Sequence, residues 1–247
     1  LAQDDVAAAR PAEPPAAAPV ARGVFLQLGA FSSADNAESL RARLSRELDW
    51  LDGLGIFAAG GIHRVQAGPF ANRGEADRVA EKIRLAAERR LAVIQEIALA
   101  AGAAGMVGGQ ALDIRTDQQA PDIGALTDMH RRKTGALIMA AVKTGALIAG
   151  ANDRKLSALA GYANHIGIAF QIADDILNVE GDETLMGKST GSDAALGKVT
   201  CASLLGLEAA KARLAEEVGA ATACIASFDA RALPLRAIAR FIMERKS

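Results

Sequence analysis

Three oxygen-bearing side chains stand at helical spacing in one apolar stretch of the sequence. Gln171, Asp174 and Asn178 are three and four residues apart, so on a helix they share one face, and Asp175 directly follows Asp174. Unpaired carboxylates in apolar surroundings are costly. Mg²⁺ prefers oxygen ligands and is usually held by one or two carboxylates together with substrate phosphates. The spacing therefore predicts a magnesium site near a helix end, and a merely solvated acidic helix end is the alternative.

Cationic side chains occur on both sides of this acidic stretch. Lys133 and Thr134 precede it, whereas Lys188 and Lys198 follow it in a segment rich in glycine. Ammonium groups that clamp a diphosphate, next to carboxylates that hold Mg²⁺, indicate a phosphate-containing substrate. Such sites are commonly built between the facing helices of a bundle. The histidines are scattered and form no triad or zinc site, so we expect surface or structural roles for them.

The composition favours a helical protein with one or two domains. The chain has 247 residues, of which 51% are hydrophobic and 4% aromatic, and its bias toward Ala and Leu favours helix. A net charge of −1 gives no bulk attraction to nucleic acid or to an acidic membrane, so we expect no nucleic-acid partner. No uninterrupted apolar run reaches the ~18 residues of a membrane span, so we expect none. The two cysteines form neither a disulfide framework nor a metal cluster.

The N-terminal third changes character at about residue 23. Residues 1–22 are rich in Pro and Ala, which is typical of an extended tether. An alternating apolar run begins at Val24 and is followed by a helical pattern that starts near Ser33. The same strand-then-helix order returns 39 residues later, when Gln27 is aligned with Gln66. Two such units predict a small α+β domain, over residues 23–89, with its helices on one face of a sheet.

The paired strand motifs of this domain, Gln27–Phe31 and Arg64–Phe70, resemble the SPOR domain of bacterial cell-envelope proteins, particularly that at the end of rare lipoprotein A. The resemblance implies a βαββαβ, ferredoxin-like fold whose open sheet face binds peptidoglycan glycan strands stripped of their peptides. The last strand is not plain in the sequence: Leu91–Ile94 could supply it, or the domain lacks it. The residues that could stack on or hydrogen-bond to sugars are Gln27, Phe31, Arg64, Gln66 and Phe70. For the two phenylalanines, a place in the core is the alternative.

Residues 90–247 predict an all-α domain, and their motifs carry a second resemblance. Gly105–Asp113, Met129–Ile138, Gly167–Asp182 and Gly187–Lys188 follow the order of motifs in the C-terminal half of bacterial trans-polyprenyl diphosphate synthases of the farnesyl or geranylgeranyl type. The resemblance implies part of the isoprenoid synthase fold. It also implies Mg²⁺-dependent condensation of isopentenyl diphosphate with an allylic diphosphate, and homodimers are usual in that family.

The resemblance also implies a role for each candidate site residue. Lys133 and Lys188 would bind the allylic diphosphate, and Thr134 and Gln171 would face the carbocation. The complete set is Lys133, Thr134 and Gln171 for the chemistry; Lys188, Lys198, Arg245 and Lys246 for substrate binding; and Asp174, Asp175 and Asn178 for Mg²⁺.

Three departures from the family pattern lead us to expect impaired activity. The first Asp-rich motif belongs to the family's N-terminal half, which the 247 residues do not include. Asn178 stands where a third Asp is often found, and Cys201–Ala202 replaces the usual Tyr-Pro. Helices that lack the other half would expose an apolar face, which predicts self-association.

Three hypotheses remain open from the sequence. The chain is a partial prenyltransferase, a glycan-binding protein whose helical part is a passenger, or one half of an oligomer that a separate chain completes. The two resemblances imply different compartments, the cytoplasm for the synthase and the periplasm for the SPOR domain, so the localisation stays open. We therefore interpret the chain as a fusion of two unrelated fragments.

Overall fold

The computed structural model describes most of the chain: residues 23–115, 122–180 and 198–245. The predicted tether at residues 1–22 lies outside these ranges, as do Lys188 and Lys246, and these assignments stay predictions. Between Ala86 and Ala87 the chain divides into two parts, called here the N-terminal unit and the C-terminal unit.

The N-terminal unit contains a three-stranded antiparallel sheet with strand order β1-β3-β2. Its elements are β1 Val24–Phe31, α1 Ala34–Glu47, β2 Gly55–Ala59, β3 Ile62–Phe70 and the first turns of α2, which spans Arg73–Ala101. This order confirms the predicted α+β class. Ser33 caps α1 by accepting a hydrogen bond from the Asn36 N–H at 3.4 Å. Gly60 and Gly61, both with positive φ, form the tight turn between β2 and β3.

The core of the N-terminal unit lies on one face of the sheet. Val65 and Ala67 of β3 are fully buried, as is Ala37 of α1. Because side chains alternate along a strand, Arg64 and Gln66 lie on the opposite face, which no described helix of this unit covers. One sheet face therefore packs on the helices of this unit. The other face, which carries Arg64 and Gln66, is called here the open sheet face.

The suggestion that Leu91–Ile94 forms a fourth strand is wrong. These residues lie inside α2, and the described part of the N-terminal unit has three strands. The sequence explains the outcome, because no Gly or Pro interrupts residues 75–101 and Ala, Leu, Glu and Arg favour helix. A short apolar run cannot by itself distinguish strand from helix.

The C-terminal unit is all helical, as predicted. Its elements after α2 are α3 Met106–Arg115, α4 Ile123–His130, a π-helical turn Arg131–Gly135, α5 Ala136–Ile148, α6 Asp153–Glu180, α7 Cys201–Leu205, α8 Leu207–Cys224, a 3₁₀ turn Ala230–Ala232 and α9 Leu233–Glu244. The long helix α6 supplies the centre of the core through Tyr162, Ile166 and Ile172. Gly206, whose φ is 81°, separates α7 from α8.

Large apolar side chains are exposed along α2 and α3. Leu91, Ile94 and Ile114 are 66%, 56% and 67% exposed. By length and composition alone, the helical stretch Arg73–Arg115 could cross a membrane, and 11% of its most apolar window is buried. One such helix is weak evidence for a membrane span, so the expectation of no span stays a prediction.

Candidate functional site

The acidic stretch forms the C-terminal part of α6, and its helical spacing is as predicted. The Asp174 side chain is 62% exposed, whereas Gln171 and Asn178 are half-buried on the same side of the helix. Asp175 is buried. Adjacent residues of a helix point in different directions, so the two carboxylates have different environments. Asp174 presents its charge to solvent, and Asp175 points into the protein.

Asp175 has a backbone partner on another helix. The Cys201 N–H at the start of α7 donates a hydrogen bond to Asp175 Oδ2 over 2.7 Å. The same end of α7 carries a reciprocal cap, in which Thr200 Oγ1 accepts from the Ser203 N–H and Ser203 Oγ accepts from the Thr200 N–H. Burial raises the pKa of the Cys201 thiol, and the Asp175 charge adds to that effect.

Thr134 contacts α6 from the π-helical turn. Its hydroxyl donates to Gln171 Oε1 at 2.9 Å, so two predicted site residues are joined directly. The turn and α6 approach closely here, because a Cβ at Gly167 would lie 2.7 Å from the Gly135 Cα. π-Helical turns within α-helices are frequent at functional sites.

Lys133, also on the π-helical turn, is paired with α3. Its Nζ donates to Asp113 Oδ2 at 2.6 Å, and both side chains are largely buried. Gly109 allows this approach, since a Cβ there would lie 2.2 Å from the Lys133 N. The sequence reasoning missed Asp113 as a site residue. The sequence does place Asp113 four residues after Gly109, so the two share one face of α3, and this spacing could have pointed to it.

His130 is buried beside this ion pair. Burial, followed by the charge of Lys133, lowers the pKa of His130 to about 4. The imidazole is therefore neutral at pH 7 and is buried at the end of α4. This agrees with the structural role expected for a histidine that takes no part in the reaction.

Arg245, a predicted substrate-binding residue, lies beside Asp174. Its guanidinium carbon is 4.5 Å from the centroid of the Phe170 ring, and Nη2 donates to the Phe170 carbonyl at 3.3 Å. Nη2 is also 3.6 Å from Asp174 Oδ1. Nε is buried and has no hydrogen-bond partner among the described residues. Lys198, by contrast, is exposed.

The donor set at the end of α6 fits a Mg²⁺ ion that is shared with a substrate. The described residues contain no group of three or more His, Cys, Asp or Glu that could hold a metal alone. Asp174 provides one accessible carboxylate, and the amides of Gln171 and Asn178 are hard oxygen donors nearby on the helix face. One or two carboxylates, waters and substrate phosphates are a common Mg²⁺ environment.

The open sheet face of the N-terminal unit carries a different set of aromatic residues from the one predicted. Gln27 is paired with Gln66 across the strands, and Phe57 is paired with Arg64. The rings of Phe25 and Phe57 meet edge to face with centroids 5.7 Å apart. The sequence reasoning missed both, although Phe25 stands two residues before Gln27 and so shares its face.

Phe31 and Phe70 lie toward the helices. A β-bulge between Gln27 and Gly29 shifts the alternation by one residue, so that Phe31 is paired with His63 on the face of Val65. Phe70 packs against the cluster formed by Leu48, Leu51 and Ala67. The core alternative therefore describes their packing, and their contact with sugars remains a prediction that nothing supports.

The C-terminal unit has the fold of polyprenyl synthases. An FPP/GFPP synthase from Zymomonas mobilis in its apo form is 39% identical, with a TM-score of 0.55 over 63% of this chain and 51% of that chain. A geranyltransferase from Helicobacter pylori, solved with magnesium and isoprenyl diphosphate, is 27% identical, with a TM-score of 0.54 over 63% and 51%.

Family models match both parts of the sequence. The polyprenyl synthetase model matches residues 79–232, and the SPOR model matches residues 21–95. The chain therefore belongs to the polyprenyl synthetase family and also contains a SPOR domain, which confirms both resemblances. The farnesyl diphosphate synthase of Escherichia coli (strain K12) is 44% identical over 160 residues, which are 63% of this chain and 54% of that protein. The chain spans about half the length of the curated relatives it matches.

Proposed function

We propose that the C-terminal unit holds a prenyl diphosphate site of the farnesyl or geranylgeranyl synthase type. Its substrates would be isopentenyl diphosphate and an allylic diphosphate. The observation that carries this proposal is the hydrogen bond from the Thr134 hydroxyl to Gln171 Oε1. It joins the π-helical turn to the face of α6 that carries Asp174. Family membership supports the same assignment.

The residues of the site would act on the diphosphate and on the cation left when it departs. Lys133, held by Asp113, would bind the allylic diphosphate, together with Lys188 and Lys198. Mg²⁺ bound at Asp174 would neutralise the departing pyrophosphate. The oxygens of Thr134 and Gln171 would face the allylic cation. Once the double bond of isopentenyl diphosphate has added to that cation, they would orient the loss of a proton from the new cation, which restores a double bond.

At the isopentenyl diphosphate end we propose Arg245 and Lys246. The Arg245 guanidinium lies over the Phe170 ring in a cation–π contact. The buried Nε without a described partner is a donor that an incoming phosphate oxygen could satisfy.

We further propose that turnover by the 247-residue chain is impaired. Only one Asp-rich stretch of the family pattern is present in these residues. The site would then bind Mg²⁺ and diphosphate more readily than it completes the condensation, since the charge that develops on pyrophosphate needs cations on both sides.

The test measures binding and turnover separately in the purified chain. Isothermal titration with isopentenyl and geranyl diphosphate should show Mg²⁺-dependent binding that Asp174→Ala abolishes, with little or no radiolabelled product. Product formation that Asp174→Ala removes would overturn the claim of impaired turnover. A folded wild-type chain that binds neither diphosphate would overturn the prenyl diphosphate site itself.

The N-terminal unit favours a second function, binding of glycan strands that lack peptides. The supporting observation is the open sheet face, where Phe25 and Phe57 lie beside Gln27, Gln66 and Arg64. Aromatic rings with amide and guanidinium donors around them can stack on sugar rings and bind their hydroxyls. Phe57→Ala should reduce retention on peptide-stripped sacculi. Phe241→Ala removes a ring of the C-terminal unit that is more exposed than Phe57 and should leave retention unchanged.

A further inference from the structure

The two adjacent carboxylates of α6 lie in different environments. Successive residues of a helix are rotated by about 100°, so the two side chains leave α6 in different directions. Asp175 is 8% exposed and lies among the apolar core residues Ile172 and Ile176. Its Oδ2 accepts the Cys201 N–H at 2.7 Å, the short distance expected of a charge-assisted hydrogen bond.

We propose that Asp175 is a positioning residue that holds the start of α7 against α6, and not a second ligand of the Mg²⁺ that the proposed function assigns to Asp174. This assignment rests on the proposed prenyl diphosphate site for the role of Asp174. The fastening by Asp175 is independent of it, because the bond to Cys201 exists without a ligand.

The fastening has a consequence for diphosphate binding. Cys201 is the first residue of α7, and Thr200 caps that helix through Ser203. Lys198 lies three residues before Cys201 in the sequence. Fixing the Cys201 backbone on α6 therefore fixes the place where the chain carrying Lys198 enters α7. If Asp175 turned away, the Cys201 N–H at the start of α7 would lose this acceptor.

The contribution of each carboxylate to metal binding is tested in the full chain with two probes, Mn²⁺ and inorganic pyrophosphate. Free Mn²⁺ is followed by electron paramagnetic resonance in the presence of pyrophosphate. Asp174→Asn removes the negative charge that would meet the ion and should weaken Mn²⁺ binding by about tenfold or more. Asp175→Asn keeps an oxygen that can accept the Cys201 N–H, so its affinity should stay within about twofold of wild type.

A second measurement follows the hydrogen bond between the Cys201 N–H and Asp175. Hydrogen exchange of the Cys201 amide should be slow in wild type, Asp174→Ala and Asp175→Asn, and fast in Asp175→Ala. Asp175→Ala should also weaken pyrophosphate binding, and the Asn variant should restore it. This rescue separates positioning, for which an amide oxygen suffices, from the metal contact at Asp174, which depends on the carboxylate charge.

Two results would overturn the proposal. One is a folded Asp175→Asn variant that loses Mn²⁺ as severely as Asp174→Asn, since that would make Asp175 a direct ligand. The other is a Cys201 amide that exchanges equally slowly in Asp175→Ala and wild type. A wild-type chain that binds no Mn²⁺ with pyrophosphate would refute the proposed function instead, and the exchange of Cys201 would still decide the role of Asp175.

Discussion

Lys133 and Asp113 form an ion pair between the π-helical turn and α3, and their side chains are 30% and 16% exposed. A charged pair with this degree of burial is screened less than one on the surface. A double-mutant cycle with Lys133→Met and Asp113→Asn should give a coupling free energy of about 1 kcal/mol or more in urea unfolding. The exposed pair Arg84 and Glu81 is the control and should couple more weakly. Equal couplings would contradict a structural role for the buried pair.

His130 should make stability depend on pH. Its folded pKa of about 4 lies below the ordinary value of 6.5, so at pH below 6.5 the unfolded chain binds a proton that the folded chain does not. Stability is therefore fully present above pH 6.5 and is lost as pH falls toward 4, by up to about 3 kcal/mol. Lys133 and Arg213 add to the effect, and Asp113 opposes it.

The measurement for His130 is the free energy of unfolding in urea at several values between pH 7.5 and 4. Wild type should lose stability more steeply than His130→Gln, whose side chain does not titrate in this range. Parallel curves would show that His130 takes up its proton at the same pH in the folded and the unfolded chain.

For single residues, the spacing of the candidate side chains could be predicted from the sequence, whereas their directions and partners could not. The spacing of Gln171, Asp174 and Asn178 follows from helix periodicity and could be predicted. The burial of Asp175 could not, because its direction depends on where α7 returns to α6. Asp113 was missed for a similar reason, since its partner Lys133 stands 20 residues away.

Among the elements, the contact between α6 and the π-helical turn leaves no room for an added atom. A Cβ at Gly167 would lie 2.7 Å from the Gly135 Cα, and backbone cannot rotate away as a side chain can. Gly167→Ala should therefore destabilise the fold by about 1–3 kcal/mol and move Thr134 from Gln171.

Gly145→Ala is the matched control for this contact. Gly145 is also helical, but nothing lies within 4 Å of its Cβ position, so alanine there should be neutral or stabilising by up to about 1 kcal/mol. Thermal unfolding followed by circular dichroism compares the two variants. A Gly167→Ala melting temperature at or above that of Gly145→Ala would show that the two helices have room to separate.

The elements also show where sequence patterns stop being informative. The order of strands and helices could be predicted, because hydrophobic periodicity and the caps are local. The bulge between Gln27 and Gly29 could not, and it moved Phe31 to the helix face while Phe25 stayed on the open one. Gly206 ended a helix that amphipathicity alone would continue, since its φ of 81° suits glycine.

For the whole molecule, the two family matches overlap between residues 79 and 95, inside α2. The first turns of this helix belong to the core of the N-terminal unit through Val79, Ile83 and Ala86. The chain divides after Ala86, close to the predicted domain boundary at 89, which stays a prediction. A helix that satisfies both patterns explains why a fourth strand was not formed from these residues.

The exposed apolar side chains of α2 lead to a prediction about association. Leu91, Ile94 and Ile97 are at least half exposed and stand at three-residue intervals, so they form one stripe of the helix. An apolar surface of this kind tends to be covered by another surface. The purified chain should therefore associate as its concentration rises.

Ile94→Lys places a charge in the stripe and should shift the equilibrium toward monomer. Sedimentation velocity at several concentrations measures this change. Phe57→Lys adds the same charge on the N-terminal unit, so its association should match wild type. A wild-type chain that stays monomeric throughout would show that the stripe is tolerated in water.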